Sequence, residues 1–544
     1  MSCLRGKANL DMLKKCLPAG IRSKPTWVLC TINLSLILFL IAYRLQALLK
    51  ALTKDFCMKK IFLLVILAGT IFLLACPSKK KNVTSSADCG CVIPADSNKI
   101  CASFVEGRCG WCADKQCEKG DLCSYLPRDV DFKQILAGYS EFEPVCQNAF
   151  DWFSWQSFVA LNWPADASGN PLKVKINEEP GAPRVWESYL TKPEVFDGLT
   201  RSPGGFLVLG QNTKAGPHVF NGSQSDMEPG SDKPLIDRNL NFTLYDIRLN
   251  KVQADYIRSH GLTTWCGQKR FYDSVSRAVQ FPSGSYTDGS EGATEIKTAW
   301  RVMIPGVDDT TRFFTRRAII VVPKENVVTK VEIRDTVTVG LVGMHLVRNV
   351  SNHGSDWIWS SFEQIDNAPE CPKGNCPAGA GTFSFYNPGC TGCALNAPPS
   401  APGNNFLWSV AQGPNRQYGR QYAVNGYGSQ IGRINPVEAS TDSISTRWRN
   451  KLKEAGSVWQ YYRLIGSQWL NAQASRPGGG NTYGIPPAEA NTAMESYLQV
   501  VKAGGSGSCM NCHSYATGSY QPLIGNLSFT ISYPKPDSSG CTTK

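Results

Sequence analysis

Every apolar run long enough to cross a membrane lies before Cys76, so the residues after it must bury their hydrophobic side chains against one another. The material for a core is present. The chain has 544 residues, 42% of them hydrophobic, with 14 Trp, 19 Tyr and 23 Phe, too many for a solvated coil. That length suits two to four domains at roughly 150 residues each. The formal net charge of +12 hints at a polyanionic partner, but its location removes the hint. Residues 1–75 hold eleven of the 56 Lys and Arg and two of the 44 Asp and Glu, leaving 45 basic against 42 acidic. The basicity belongs to the leader, and nucleic-acid binding has no support.

Met58-Lys59-Lys60 opens a short positive region, Ile61 to Ala75 is apolar apart from Gly69 and Thr70, and Cys76 follows Leu73-Leu74-Ala75. These are the parts of a secretory signal. With Cys at the first mature position, 58–75 resembles a bacterial lipoprotein signal, in which that Cys carries lipid and becomes the N-terminus. The resemblance implies a lipid tether over 76–88, and Pro77 in place of Asp implies sorting to the outer membrane. Leu74 is bulkier than the small residue usual there; the competing reading is a transmembrane anchor ending at Cys76. Residues 1–57 contain a second apolar run, Trp27 to Ala42, and read as an extension from a start codon set too far upstream, or as a membrane helix.

Export gives the 21 cysteines their meaning. Seven crowd into Cys89–Cys123, where apolar residues are sparse, so 89–125 is expected to be a disulfide-held module. Within it Cys109-Gly110-Trp111-Cys112 with Cys117 resembles the cystine knot of plexin–semaphorin–integrin modules. Cys371, Cys376, Cys390 and Cys393 have zinc-like spacing, but an oxidising compartment favours two disulfides. The pairing of the whole set is not readable from sequence.

An α+β architecture is expected, with a central antiparallel strand-rich region between the Cys-rich module and a C-terminal helical segment. Pro144 to Pro164 reads as a buried amphipathic helix, with Phe150, Phe153, Phe158 and Leu161 at spacings near three and four. Runs beginning at Gly204, Asn241, Thr294, Arg312 and Val331 read as strands, the last three as a meander. Residues 371–440, rich in Gly, Pro, Asn and Cys, read as ordered loop. Helices are expected again at Thr446 to Leu470 and Pro486 to Ala503. The division is thus 146–440 as one α+β domain and 441–533 as a helical region.

That region contains Cys509-Met510-Asn511-Cys512-His513, a CxxCH motif. Two thiols three positions apart can add across the two vinyl groups of haem, and the adjacent imidazole then reaches the iron. Cys509, Cys512 and His513 are therefore the expected attachment site of one covalent haem c, with His513 as proximal ligand. No Met or His follows His513, and the 31-residue tail is too short to wrap a haem, so a sixth ligand must come from upstream. His218, His260, His345, His353, Met344 and Met494 are the candidates. His345 is preferred. Alternation in the run around it puts Gly343, His345 and Val347 on one face and Val342, Met344 and Leu346 on the other. The competing reading of His345 is a core histidine donating to a carbonyl. Asp356 and Glu363 flank WIWSSFEQ and can orient a haem-side ligand, though solvated or capping roles suit them better.

Together with YRLIGSQW (462–469), NTAMESYLQ (491–499), SWQSFVALNWP (154–164), EIKTAWRV (295–302) and GMHLV…WIWSSFEQIDNAP (343–369), SCMNCH resembles a family of exported bacterial single-haem c-type cytochromes. The resemblance covers most of 146–533, leaves out the Cys-rich module, and implies one haem but no substrate. One haem on a lipid-tethered chain points to one-electron transfer at an envelope membrane, with a redox protein of unknown identity as partner. The alternatives are a haem-dependent enzyme reducing peroxide or another small oxidant at an open iron, and a redox-silent binding lipoprotein.

Overall fold

The structure, a computed structural model, describes residues 122–130, 144–199, 207–209, 233–285, 289–350, 356–377, 379, 382–411, 413–469, 490–499, 509–534 and 541. Met1–Thr84 is a separate unit wholly outside these residues, and with it the upstream extension, the signal and Cys76. All but residues 122–125 of the Cys-rich module also lie outside, as do His218 and His353. No helix of the described residues is long and apolar enough to cross a membrane.

The second unit, Ser85–Lys544, is built on one sheet of eight strands, joining a central antiparallel region to a few helices. The strands are β1 (Leu190–Thr191), β2 (Leu207–Leu209), β3 (Leu244–Leu249), β4 (Thr294–Val302), β5 (Thr315–Val322), β6 (Ile333–Val350), β7 (Asp356–Gln364) and β8 (Tyr462–Trp469). The helices are α1 (Pro144–Leu161), α2 (Lys192–Phe196), α3 (Lys251–Ser259), α4 (Trp265–Ser274), α5 (Ala439–Glu454) and α6 (Cys509–His513). β6 is the spine. Of its 18 residues, 339–348 pair with β4 along one edge, while on the other edge β5 takes 333–340 and β7 343–350. β8 extends the sheet beyond β7, and β3 and then β1 extend it beyond β4. β2 alone is parallel, beside β5.

Several expectations change here. Residues 462–469, expected in a helix, form β8, and the described part of Pro486–Ala503 holds only a short 3-10 turn, Ser496–Leu498. α3 and α4 are additional, each opened by a side-chain cap: Asn250 accepts from the Gln253 amide and Thr264 from the Gly267 amide. The sheet draws strands from both sides of residue 440, and 382–411 and 413–438 carry turns and isolated bridges as expected of ordered loop. Three disulfides lie among the described residues: Cys371–Cys376, Cys390–Cys393 and Cys266–Cys541.

α1 covers one sheet face and is enclosed on all sides rather than amphipathic. Phe150 stacks on Trp469 at 3.8 Å and Phe158 on Phe362 at 4.2 Å, while the helix's polar residues bond to the strands beneath. Ser360 donates to Ser154, and Arg348 to Ser157. Asp151 accepts from Thr441 at 2.6 Å and from Gln147 at 2.9 Å. Burial raises its carboxyl to about 6, against hydrogen bonds from Ser467, Thr441 and Gln147. The folded value lies above the unfolded one, so stability is greatest with the group protonated and falls as pH rises from about 4 to about 6. Asp151→Asn is expected to stabilise the fold by up to about 3 kcal/mol at pH 8 and by little at pH 4. Denaturant titrations at the two pH values check this; a gap that does not vary with pH contradicts it.

Candidate functional site

On the opposite sheet face the pleat and register bring six side chains of one cavity into two adjacent rows. Ile247, Lys297 and His345 are cross-strand neighbours in one, and Glu295, Val347 and Trp359 in the next. Met344 and Leu346 point into the core under α1, as alternation requires, and Asn162 sits 3.8 Å from the Met344 sulfur. Val342 departs from the expected alternation. A bulge between Ala299 and Trp300 leaves it as an extra residue on β6, and it joins Ala299, Met303, Ala493 and Met494.

The C-terminal motif is lowered onto this face by a few bonds. Gln468 of β8, paired with Trp359, accepts from the Cys509 amide at 2.9 Å and so fixes the start of α6. Met510 is fully buried in the cluster with Val347, Trp357 and Trp359, which turns Cys509, Cys512 and His513 towards the cavity. The His513 ring lies 4.1 Å from Trp359 and 5.1 Å from Phe529. Its Nδ1 is 2.8 Å from the Leu527 carbonyl. A carbonyl only accepts, so in the neutral ring Nδ1 carries the proton and Nε2 keeps its lone pair.

That carbonyl is aimed by a strained turn. Asn526 and Leu527 have φ of 51° and 66°, the left-handed region in which a leucine is costly. The surroundings impose it: Trp357 Nε1 donates to the Asn526 carbonyl at 2.7 Å, and the Phe281 amide to Asn526 Oδ1. Glu295 holds the following residues, accepting from Ser528 at 2.7 Å and Thr530 at 2.6 Å. Gln268 of α4 donates to the Ile531 carbonyl at 2.7 Å.

The far wall is residues 490–499, which contribute Glu495 and Leu498. This segment presses on β6 where a side chain would obstruct it: a Cβ at Gly343 would stand 3.3 Å from Ala493, Asn491 and Met494 atoms. Asn491 donates to Ser361 and to the Phe362 carbonyl, and Tyr245 donates to the Ala493 carbonyl. The space enclosed between these residues is about 40 Å³, and the rest of the opening is continuous with solvent.

His345 therefore shares a cavity with Cys509, Cys512 and His513, although 164 positions separate its number from that of Cys509. It is 4% exposed, and its Nε2 is buried without a hydrogen-bond partner. The Glu495 carboxylate is 3.4 Å from Nε2, close enough to interact but outside hydrogen-bond geometry. The other candidates lie elsewhere: Met344 in the opposite core, Met494 among the residues around Val342, and His260 exposed at the end of α3 with Nδ1 on the Tyr256 carbonyl.

Glu363 does not flank the cavity, and it is not solvated. It is 1% exposed, with Arg433 at 2.6 Å and Arg463 at 2.9 Å. Asp356 opens β7. Sequence reasoning missed Lys297, Glu295, Glu495 and Lys192 as cavity residues. For the first two a signal existed, since charges at 295 and 297 interrupt an otherwise apolar strand on one face.

These residues fit a covalent haem: two thiols and an anchored imidazole on one side, and an unsatisfied buried imidazole nitrogen in the same cavity. Among the described residues no three His, Cys, Asp or Glu converge as a bare metal ion would require. No known protein family, curated protein or solved structure matches the chain.

Proposed function

We propose that the chain is a lipid-anchored c-type cytochrome of the exported single-haem kind, carrying one-electron traffic at a bacterial envelope membrane. Cys509 and Cys512 hold haem c through thioether bonds, His513 is the proximal ligand and His345 the distal one. The observation that carries this reading is His345 in the cavity of the CxxCH residues, its buried Nε2 making no hydrogen bond and facing only the Glu495 carboxylate at 3.4 Å. Haem c, when bound, supplies an iron that cycles between ferrous and ferric states by a single electron.

The chain's own groups make a closed site around that chemistry. The Leu527 carbonyl holds the His513 proton at Nδ1, fixing ring and tautomer, as an outer hydrogen bond does for most metal-binding histidines. Trp359, Val347, Ile247, Leu498 and Phe529 give the cavity apolar walls that limit water. If His513 and His345 both held the group, it would supply electron exchange rather than a site for substrate, which favours a carrier over a haem-dependent catalyst.

The absorption spectrum of protein produced with the haem-attachment machinery tests this directly. The wild type is expected to be six-coordinate and low-spin. His345→Ala is expected to become high-spin or to bind external ligands such as cyanide or imidazole. An unchanged spectrum in that variant removes His345 from the iron.

The membrane side of the proposal rests on the signal ending at Cys76, outside the described residues. It places the protein on the outer membrane, facing the periplasm or the cell surface. Fatty-acid label is expected on the wild type and not on Cys76→Ser; equal labelling of both contradicts the anchor.

A further inference from the structure

We infer that Lys297 and Lys192 are the counter-cations of the two haem propionates, so that the cavity sets the direction of the macrocycle as well as its axial ligands. This rests on the reading above. Haem c is anionic, and its propionates leave the edge opposite the two thioether positions. A cavity that holds the thiols at one end therefore needs cations at the other.

The sheet orders the residues in this way. Cys509 hangs from β8 through Gln468, Trp359 stands on β7, and His345 on β6. Lys297 is on β4, directly across from His345, and Lys192 follows β1 at the sheet's edge beyond β3. In strand order, β8, to which Cys509 is bonded, and β4 and β1, which bear or precede the two lysines, lie on opposite sides of β6 and its His345.

Four charged side chains besides His face the cavity: Lys192, Lys297, Glu295 and Glu495. The carboxylates already accept from the chain, Glu295 from Ser528, Thr530 and Gln253, and Glu495 from the Asn491 amide. They repel a further carboxylate, and the two lysines attract one. Lys297 is 8% exposed, with its ammonium 5.8 Å from the Tyr245 ring centre. In so enclosed a place a carboxylate brought beside it is bound much more strongly than at an open surface.

The test uses the holoprotein with isotopically labelled propionate carboxyls. Three readouts are compared in wild type, Lys297→Gln, Lys192→Gln and Lys297→Arg: haem stain, midpoint potential, and the label-sensitive infrared band. Lys297→Gln and Lys192→Gln are each expected to keep haem stain and the low-spin spectrum, to lower the potential, and to shift the propionate band. Lys297→Arg is expected to restore both readouts. Unchanged potential and band in Lys297→Gln and in Lys192→Gln overturn the inference. So does a lower potential with an unmoved band, because the charge then acts on the iron through space. Should Lys297→Gln fail to fold, the partly exposed Lys192 still decides through its own variant. Absence of haem from the wild type would instead sink the cytochrome reading itself, a failure visible before any lysine is changed.

Discussion

Replacing Cys509 and Cys512 together by Ala is expected to take haem stain on a denaturing gel from one haem per chain to background. Only a thioether survives denaturation, and a thioether needs these thiols beside a histidine in the spacing of CxxCH. The chain offers no second such site. Its other pairs of that spacing, Cys109/Cys112 and Cys390/Cys393, are followed by Ala113 and Ala394, and the second is closed as a disulfide. The sheet should survive the change, because α6 is five residues long and its buried anchor, Met510, remains. The far-ultraviolet spectrum of the double variant should therefore stay close to wild type while the stain disappears. Full staining in that variant would mean that haem is attached elsewhere or that the stain reports something other than haem.

The second large effect lies behind the cavity, in the ion cluster under its far wall. Burial alone would push the Glu363 carboxyl up, but Arg433, Arg463 and two hydrogen bonds from Thr492 overcome it and hold the group at about 2. The folded value lies below the unfolded one, so the contribution is fully present above about pH 4.5 and is lost as pH falls towards 2. Glu363→Ala leaves Arg433, whose side chain is 3% exposed, beside Arg463 with only the half-exposed Glu370 carboxylate, 3.9 Å away, to offset its charge. A loss of about 3–5 kcal/mol at pH 7 is expected. Denaturant unfolding should show the gap between variant and wild type narrowing strongly by pH 3. A gap of the same size at both pH values would mean that packing, not charge, is what Glu363 supplies. Because Glu363 accepts from both the amide and the hydroxyl of Thr492, its loss should also loosen the segment carrying Glu495 and Leu498.

The legible parts of this chain are those in which one physical signal dominated. The CxxCH spacing needs no context, and the aromatic spacing of Phe150, Phe153 and Phe158 identified α1. Residues 294–302, 315–322 and 333–350 were readable as strands because β-branched runs are bounded by Gly, Pro and Asp. β8 was misread for a definite reason. Seven of its eight residues are buried, so a period of two had no polar partner set to reveal it. α3 and α4 announced themselves only through Asn250 and Thr264, single residues easily passed over in a polar stretch. Glu363 was read from its flanking position in WIWSSFEQ, and a flank says nothing about two arginines that arrive from 70 and 100 residues away. Val342 shows the limit of alternation, since one bulge in β6, at Val342 itself, moved it to the other face. His345 could be singled out as a polar residue in an apolar run. That it shares a cavity with Cys509 depends on Gln468, Leu527 and Glu295, whose roles exist only once the strands are side by side.

The bond between Cys266 and Cys541 closes a covalent ring of the intervening chain, with a separation of 275 residues. The whole of β4 to β8 and the CxxCH motif lie within that ring. A protease that cuts once inside it releases nothing: the two ends remain one molecule, and the segment carrying Cys509, Cys512 and His513 stays with whatever holds the N-terminal part. Two cuts are needed to free a fragment, or one cut and a reductant. Where proteases have access and thiols are scarce, the persistence of the candidate site then depends on topology as well as on stability.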